Sequence, residues 1–154
     1  MNELSPALRE AYARAKNTVV DLFSFELRHS TFPQPIRMIS YDKDVMVPIE
    51  IGAPANGGET VNFLGVAFKA PQENIDSEAG NTISVGGAGV SAAALPYLNA
   101  ANETLEPIAC TVRWVAYDVR PDAVLGISRG SEMQVLNFKT SILNLQMTLG
   151  FTNL

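Results

Sequence analysis

Apolar positions in this chain recur with two different spacings. Near the start, Leu8, Ala11, Tyr12 and Ala15 fall at i, i+3, i+4 and i+7, the stripe of one helix face. Ser5 supplies a capping hydroxyl, and Pro6 is a first-turn residue with no N–H to leave unpaired. The pattern predicts a short amphipathic helix over Pro6 to Lys16, inside an N-terminal segment of residues 1–17. From Thr18 the period drops to two. Val19, Phe23, Phe25 and Leu27 share one face, and Ser24, Glu26 and Arg28 share the other, as in a half-buried antiparallel strand.

Pro33 and Pro35 break that strand, and extended structure resumes over Ile36 to Tyr41. Asp42-Lys43-Asp44 reads as a turn into Val45 to Ile51, where Pro48 argues for an edge strand. Gly52 to Glu59 is turn chemistry throughout. Thr60 to Lys69 is apolar on both faces and is predicted to lie centrally. A polar, acidic loop then precedes a short strand over Thr82 to Val85. Two long alternating segments follow, Ile108 to Val119 and Leu143 to Leu149, linked through an expected exposed loop over Arg120 to Gly130 and a bulge near Lys139 to Ser141. About seven extended segments and two short helices predict a mainly β fold, an antiparallel β-sandwich or small barrel. The expectation is one domain over residues 1–154, with a β domain over 18–154 and a short helix near 91–101.

One stretch imitates a cofactor loop. In "TISVGGAGVSAAALPYL", Thr82 to Leu98, the residues Gly87-Ala88-Gly89-Val90-Ser91-Ala92 match the G-x-G-x-x-G/A pattern of dinucleotide-binding turns. That fingerprint requires a parallel βαβ unit, an unbroken helix and an acidic residue ending the second strand. Here Pro96 interrupts the helix, the other strands read as antiparallel, and Glu103 and Glu106 fall in a loop. The glycines are read as a plain strand-to-helix turn, with Ser91 capping the helix and Leu95 and Leu98 facing the core.

Composition removes most other chemistry. Net charge is −5 without a Lys/Arg cluster, which argues against nucleic acid. The lone Cys110 and lone His29 cannot build a disulfide or a Cys/His zinc site. Cys110 alternates in phase with Ile108 and Val112 and reads as a core residue. His29 reads as a strand-end histidine, exposed or bonded to backbone, with no nucleophile motif to serve. Asp42 with Asp44, and Glu73 with Asp76 and Glu78, offer carboxylates for a hard cation but lack EF-hand spacing. No catalytic residue, metal or cofactor is expected. No apolar run reaches the ~18 residues that span a bilayer, and the start lacks a signal-peptide profile, so a soluble chain folded in a cytoplasm is expected.

What remains is surface of unusually low charge. Charged residues are 18% of the chain against 47% hydrophobic, and neither Val85 to Leu98 nor Leu143 to Leu154 holds any charge. Protein contacts favour such neutral surface at their centres.

The order of the segments carries a resemblance. "LSPALREAYARA", "LFSFELRHSTFPQPIRMI", "GAPANGGETVNFLGVAF", "ALPYLNAA" and "MTLGFTNL" together resemble a domain-of-unknown-function family of tail proteins in long-tailed bacteriophages and prophages. The resemblance implies a structural protein of the tail tip, of the distal-tail or baseplate-hub type. It would be a cyclic homo-oligomer, hexamer or trimer, joining the tail tube to hub or host-binding proteins of the virion. Leu4, Leu8, Tyr12, Pro54, Asn56, Leu145, Met147 and Phe151 are the expected subunit contacts. A carbohydrate- or ion-binding β module is the alternative, with Tyr41–Asp42 and Tyr117–Asp118 as the places for a sugar.

Overall fold

The computed structural model describes residues 5–6, 18–69, 81–86, 88–140 and 144–151. The expected helix over Pro6 to Lys16 lies outside these, apart from a helical Pro6, as does the acidic loop with Glu73, Asp76 and Glu78. Nine strands and one helix follow: β1 (Val19–Arg28), β2 (Ile36–Ile39), β3 (Val45–Pro48), β4 (Thr60–Gly65), β5 (Ala67–Lys69), β6 (Asn81–Gly86), α1 (Ala88–Asn102), β7 (Ala109–Asp118), β8 (Ala123–Thr140) and β9 (Asn144–Phe151). Hydrogen bonding runs through them in the order β3-β4-β2-β1-β7-β8-β9-β6-β5. Every neighbouring pair is antiparallel except β2 and β4, which run parallel. The fold is mainly β, as the alternation predicts, and Pro48 does sit on an edge strand.

The sheet rolls rather than lying flat. Strand β3, at one end of the order, comes against β8. This curl gives β1 and β7 two buried faces. On one face Phe23, Phe25 and Leu27 join Cys110, Val112, Met133, Met147 and Leu149, covered by Ala94, Leu98 and Ala101 of α1. Positions 94, 98 and 101 are one helical stripe, and its two alanines let the helix axis approach the sheet closely. On the other face Leu22, Ile39, Val45, Val47, Phe63, Val115 and Tyr117 form a second core inside the curl.

Several expectations change. The segment Thr60 to Lys69 is not one central strand: β4 stops at Gly65, where Val66 donates to the Ile39 carbonyl (2.9 Å), and β5 pairs instead with β6. Glycine is required at 65 because a Cβ there would lie 2.3 Å from the Lys43 carbonyl oxygen. The loop expected over Arg120 to Gly130 is only a turn. Asp122 takes φ +54° there, and β8 then runs from Ala123, its Val124 and Ile127 packing on the second core. In its ladder with β9, β8 is irregular between Val135 and Asn137, ahead of the position expected, and its ladder with β7 shifts register twice more, between Arg129 and Glu132 and between Val124 and Gly126. The helix begins at Ala88, so Ser91 lies inside it rather than capping it, and Pro96 is accommodated in its middle. Leu98 is fully buried, whereas Leu95 is only partly so.

Candidate functional site

The largest departure from the sequence pattern is the polar face of β1. Ser24 and Glu26 are completely buried, as are Thr111 and Arg113 beside them on β7. Cross-strand pairing explains the arrangement. Arg37, Glu26, Thr111 and Glu132 stand opposite one another on β2, β1, β7 and β8, and Ser24, Arg113 and Arg129 form the adjacent row. Arg37 Nε donates to Glu26 Oε2 (2.6 Å), and Arg28 bridges Glu26 (3.0 Å) and Glu132 (2.8 Å). Arg113 donates a fork to Glu50, Nη2 to Oε1 at 2.9 Å and Nε to Oε2 at 3.0 Å. Arg129 binds Glu132, and Ser24 Oγ donates to the Arg113 carbonyl (2.9 Å).

Arginines 28, 37, 113 and 129 thus face glutamates 26, 50 and 132, leaving one positive charge in excess. Burial works to raise the Glu50 carboxyl, but the Arg113 hydrogen bonds and nearby guanidinium charge outweigh it and hold the group below its ordinary value. Glu132 is likewise lowered, with burial opposed by Thr111, Arg129 and Arg28. A buried ionic layer of this kind fixes strand register, since a one-residue slip would bury the charges unpaired.

His29 closes a second cluster at the end of β1. Thr31 N–H donates to Nδ1 (3.1 Å), so Nε2 carries the proton and donates toward Thr104 Oγ1 and the Glu106 carbonyl, each at 3.1 Å. The Glu106 carboxylate is held by Ser30 through its N–H (3.0 Å) and hydroxyl (2.7 Å), which lowers its pKa. Serine, histidine and glutamate therefore meet here without a triad. The hydroxyl donates to the carboxylate, and both imidazole nitrogens are engaged elsewhere. The arrangement ties the end of α1 to β1: Thr104 caps the helix through the Ala101 carbonyl (2.8 Å) while it accepts from His29.

An open cleft of about 450 Å³ lies where the parallel strands part. The β2–β4 ladder pairs only Met38 with Leu64 and Ile39 with Gly65, so residues 33–37 and 60–62 diverge to form two walls. Met46 of β3, Asn56 and Tyr97 of α1 complete it. Tyr97 is 39% exposed, its ring set edge-to-face on Phe32 with centroids 6.2 Å apart. Sequence spacing carries no sign of this cleft, because its residues lie on five separate stretches of chain; the repeated prolines of Pro33-Gln34-Pro35 are the one local signal.

The expected contact residues scatter. Pro54 and Asn56 are on the surface, in the turn 51–58. Asn56 has φ +57°; its amide accepts from Arg37 Nη2 and donates to Glu59 (2.7 Å), so its side chain is already spoken for. Met147 is fully buried in the first core and leaves the contact set: alternation placed it with the apolar side of a strand that α1 covers. Leu145 pairs with Val85 and Thr140, and Phe151 with Met133, on β9. Leu4, Leu8 and Tyr12 lie outside the described residues. Ile51, 92% exposed at the head of the Pro54 turn, was not anticipated.

Of the two aromatics expected at a sugar site, Tyr41 is partly buried and Tyr117 fully so. Tyr117 is buried against Tyr41 (5.0 Å between rings) and donates to Asp122 (2.9 Å), and burial, then that bond, push its hydroxyl up to about 12. Asp44 accepts from Gly65 N–H (3.0 Å) and Asn62 (3.2 Å), bracing β4. Among the described residues no group of three His, Cys, Asp or Glu side chains is placed to hold a metal ion.

The chain matches no known protein-family model and no curated protein.

Proposed function

We propose that this protein is a non-enzymatic structural subunit of a bacteriophage tail, assembling into a cyclic homo-oligomer at the tail tip that joins tail tube to hub or host-binding tip. The observation that supports it best is a sheet whose two end strands differ and each keep one edge without a strand partner among the described residues. Among the described residues, β3 pairs only with β4 and β5 only with β6. A closed ring uses two unlike patches of one chain, each covering the other on the next copy. Unpaired strand edges left to water invite uncontrolled pairing, so a defined neighbour serves an edge well. Beside the β3 edge, Met46 is 55% exposed and Ile51 92%, which puts apolar surface where a neighbour would cover it.

The buried ionic layer fits a part under tension, because charge pairs between strands resist slippage when the sheet is pulled along its strands. The three groups best suited to chemistry, His29, Ser30 and Glu106, are consumed in holding α1. Electron microscopy of the purified protein tests the proposal: rings with threefold or sixfold symmetry are expected, and isolated monomers at high concentration would overturn it.

A further inference from the structure

The cleft between β2 and β4 has a chemistry of its own. Among the described residues Arg37 is its only charged lining residue, and its guanidinium is paired at 2.6 Å with Glu26, a carboxylate it shares with Arg28 and Arg113. Its remaining polar groups are neutral. The side chains of Gln34 and Thr60 and the Tyr97 hydroxyl make no hydrogen bond within the described chain, and the Asn62 side chain commits only its amide nitrogen, to Asp44. Amide and hydroxyl groups with spare capacity thus stand on opposite walls and beside an aromatic ring held in place by Phe32. Met38 and Leu64 supply an apolar floor.

An added peptide strand is poorly served here. Pro33 and Pro35 remove two backbone donors from the β2 wall that such a strand would need. An anion would find one guanidinium, that of Arg37, already held by Glu26 and by the Asn56 amide oxygen, and a purely apolar ligand would strand the free amides and hydroxyls. The geometry points to a binding site for a neutral saccharide, one or two sugar rings long, stacked by its C–H face on Tyr97 and hydrogen-bonded by its hydroxyls to Gln34, Thr60 and Asn62. The volume is that of a small-ligand pocket, which runs from roughly 300 to 1,000 Å³. This site goes beyond the structural role; it meets the β3 edge at one residue, Met46, and its test reads sugar binding and not assembly.

The test is titration calorimetry with neutral hexose disaccharides and short N-acetylglucosamine oligomers, alongside a panel of acidic glycans and an unrelated extended peptide. At least one neutral sugar is expected to bind. Tyr97→Ala should weaken it about tenfold or more, and Thr60→Val by a smaller factor. Tyr97→Phe, which keeps the stacking face, should retain most of the affinity, and unchanged circular dichroism would certify the fold of each variant. Absence of heat from every neutral sugar, binding only of acidic glycans or of the peptide, or binding indifferent to Tyr97→Ala would each overturn the site.

Discussion

Arg113 and Glu26 lie side by side in the middle of the rolled sheet, both without solvent exposure, with Nη1 and Oε1 3.7 Å apart. That Nη1 is the one buried side-chain nitrogen or oxygen among the described residues with no hydrogen-bond partner. The guanidinium is held by Glu50 on its other side, so the long approach to Glu26 is a charge contact in a low-dielectric interior. Removing Glu26 leaves Arg28, Arg37 and Arg113 short of their shared counter-charge. Glu26→Gln is therefore expected to cost about 3–5 kcal/mol of folding stability, read from urea unfolding. A cost below about 1 kcal/mol would mean that the layer is not an interdependent network.

Acid should loosen the same layer. The folded carboxyls of Glu50 and Glu132 lie below the ordinary value of 4.5, so these groups hold fewer protons folded than unfolded. Their contribution is complete above the unfolded value and drains away as pH falls below it through the folded values. The urea midpoint should fall as pH is lowered from about 5 to about 3, with a shallower fall in Glu50→Gln. A midpoint indifferent to pH over that range contradicts the assignment.

Cys110 is fully buried, and burial pushes its thiol up to about 12. Since the thiolate is the reactive form, iodoacetamide should leave the native protein unmodified at pH 8 and label it promptly in urea. Prompt labelling of the native chain would place Cys110 outside the core.

At Gly65 the constraint is steric. A methyl group would meet the Lys43 carbonyl carbon at 2.4 Å as well as its oxygen, and backbone cannot swing aside as a side chain can. Gly65→Ala should lower stability by about 2 kcal/mol or more, measured by thermal unfolding. A neutral outcome would show that β4 is not pinned against the segment before β3.

The β character of the chain was legible because alternation in β1 and β7 is a local property, and Pro48 marked its own edge. The fate of the polar half of that alternation was not. Ser24, Glu26 and Arg28 read as solvent-facing because each apolar neighbour implies one wet face, and only pairing with Arg37, Thr111 and Glu132 on three other strands makes burial tolerable. For Met147 the reverse holds: its apolar phase was visible, but not the helix that covers it. The cleft was illegible for the same reason, since a parallel β2–β4 pairing follows from topology and not from either strand's composition. The turn around Asp122 hid the start of β8 because turn residues are visible in sequence while their brevity is not.

The mass of the purified protein in solution, by multi-angle light scattering over a wide concentration range, tests the ring proposal most directly. A species of about 50 or about 100 kDa is expected, three or six copies of the 16.6 kDa chain. Ile51→Lys, a change at an exposed position that leaves both cores untouched, should shift it toward monomer. A wild-type protein that stays at the monomer mass at the highest concentration attainable would contradict the proposed assembly.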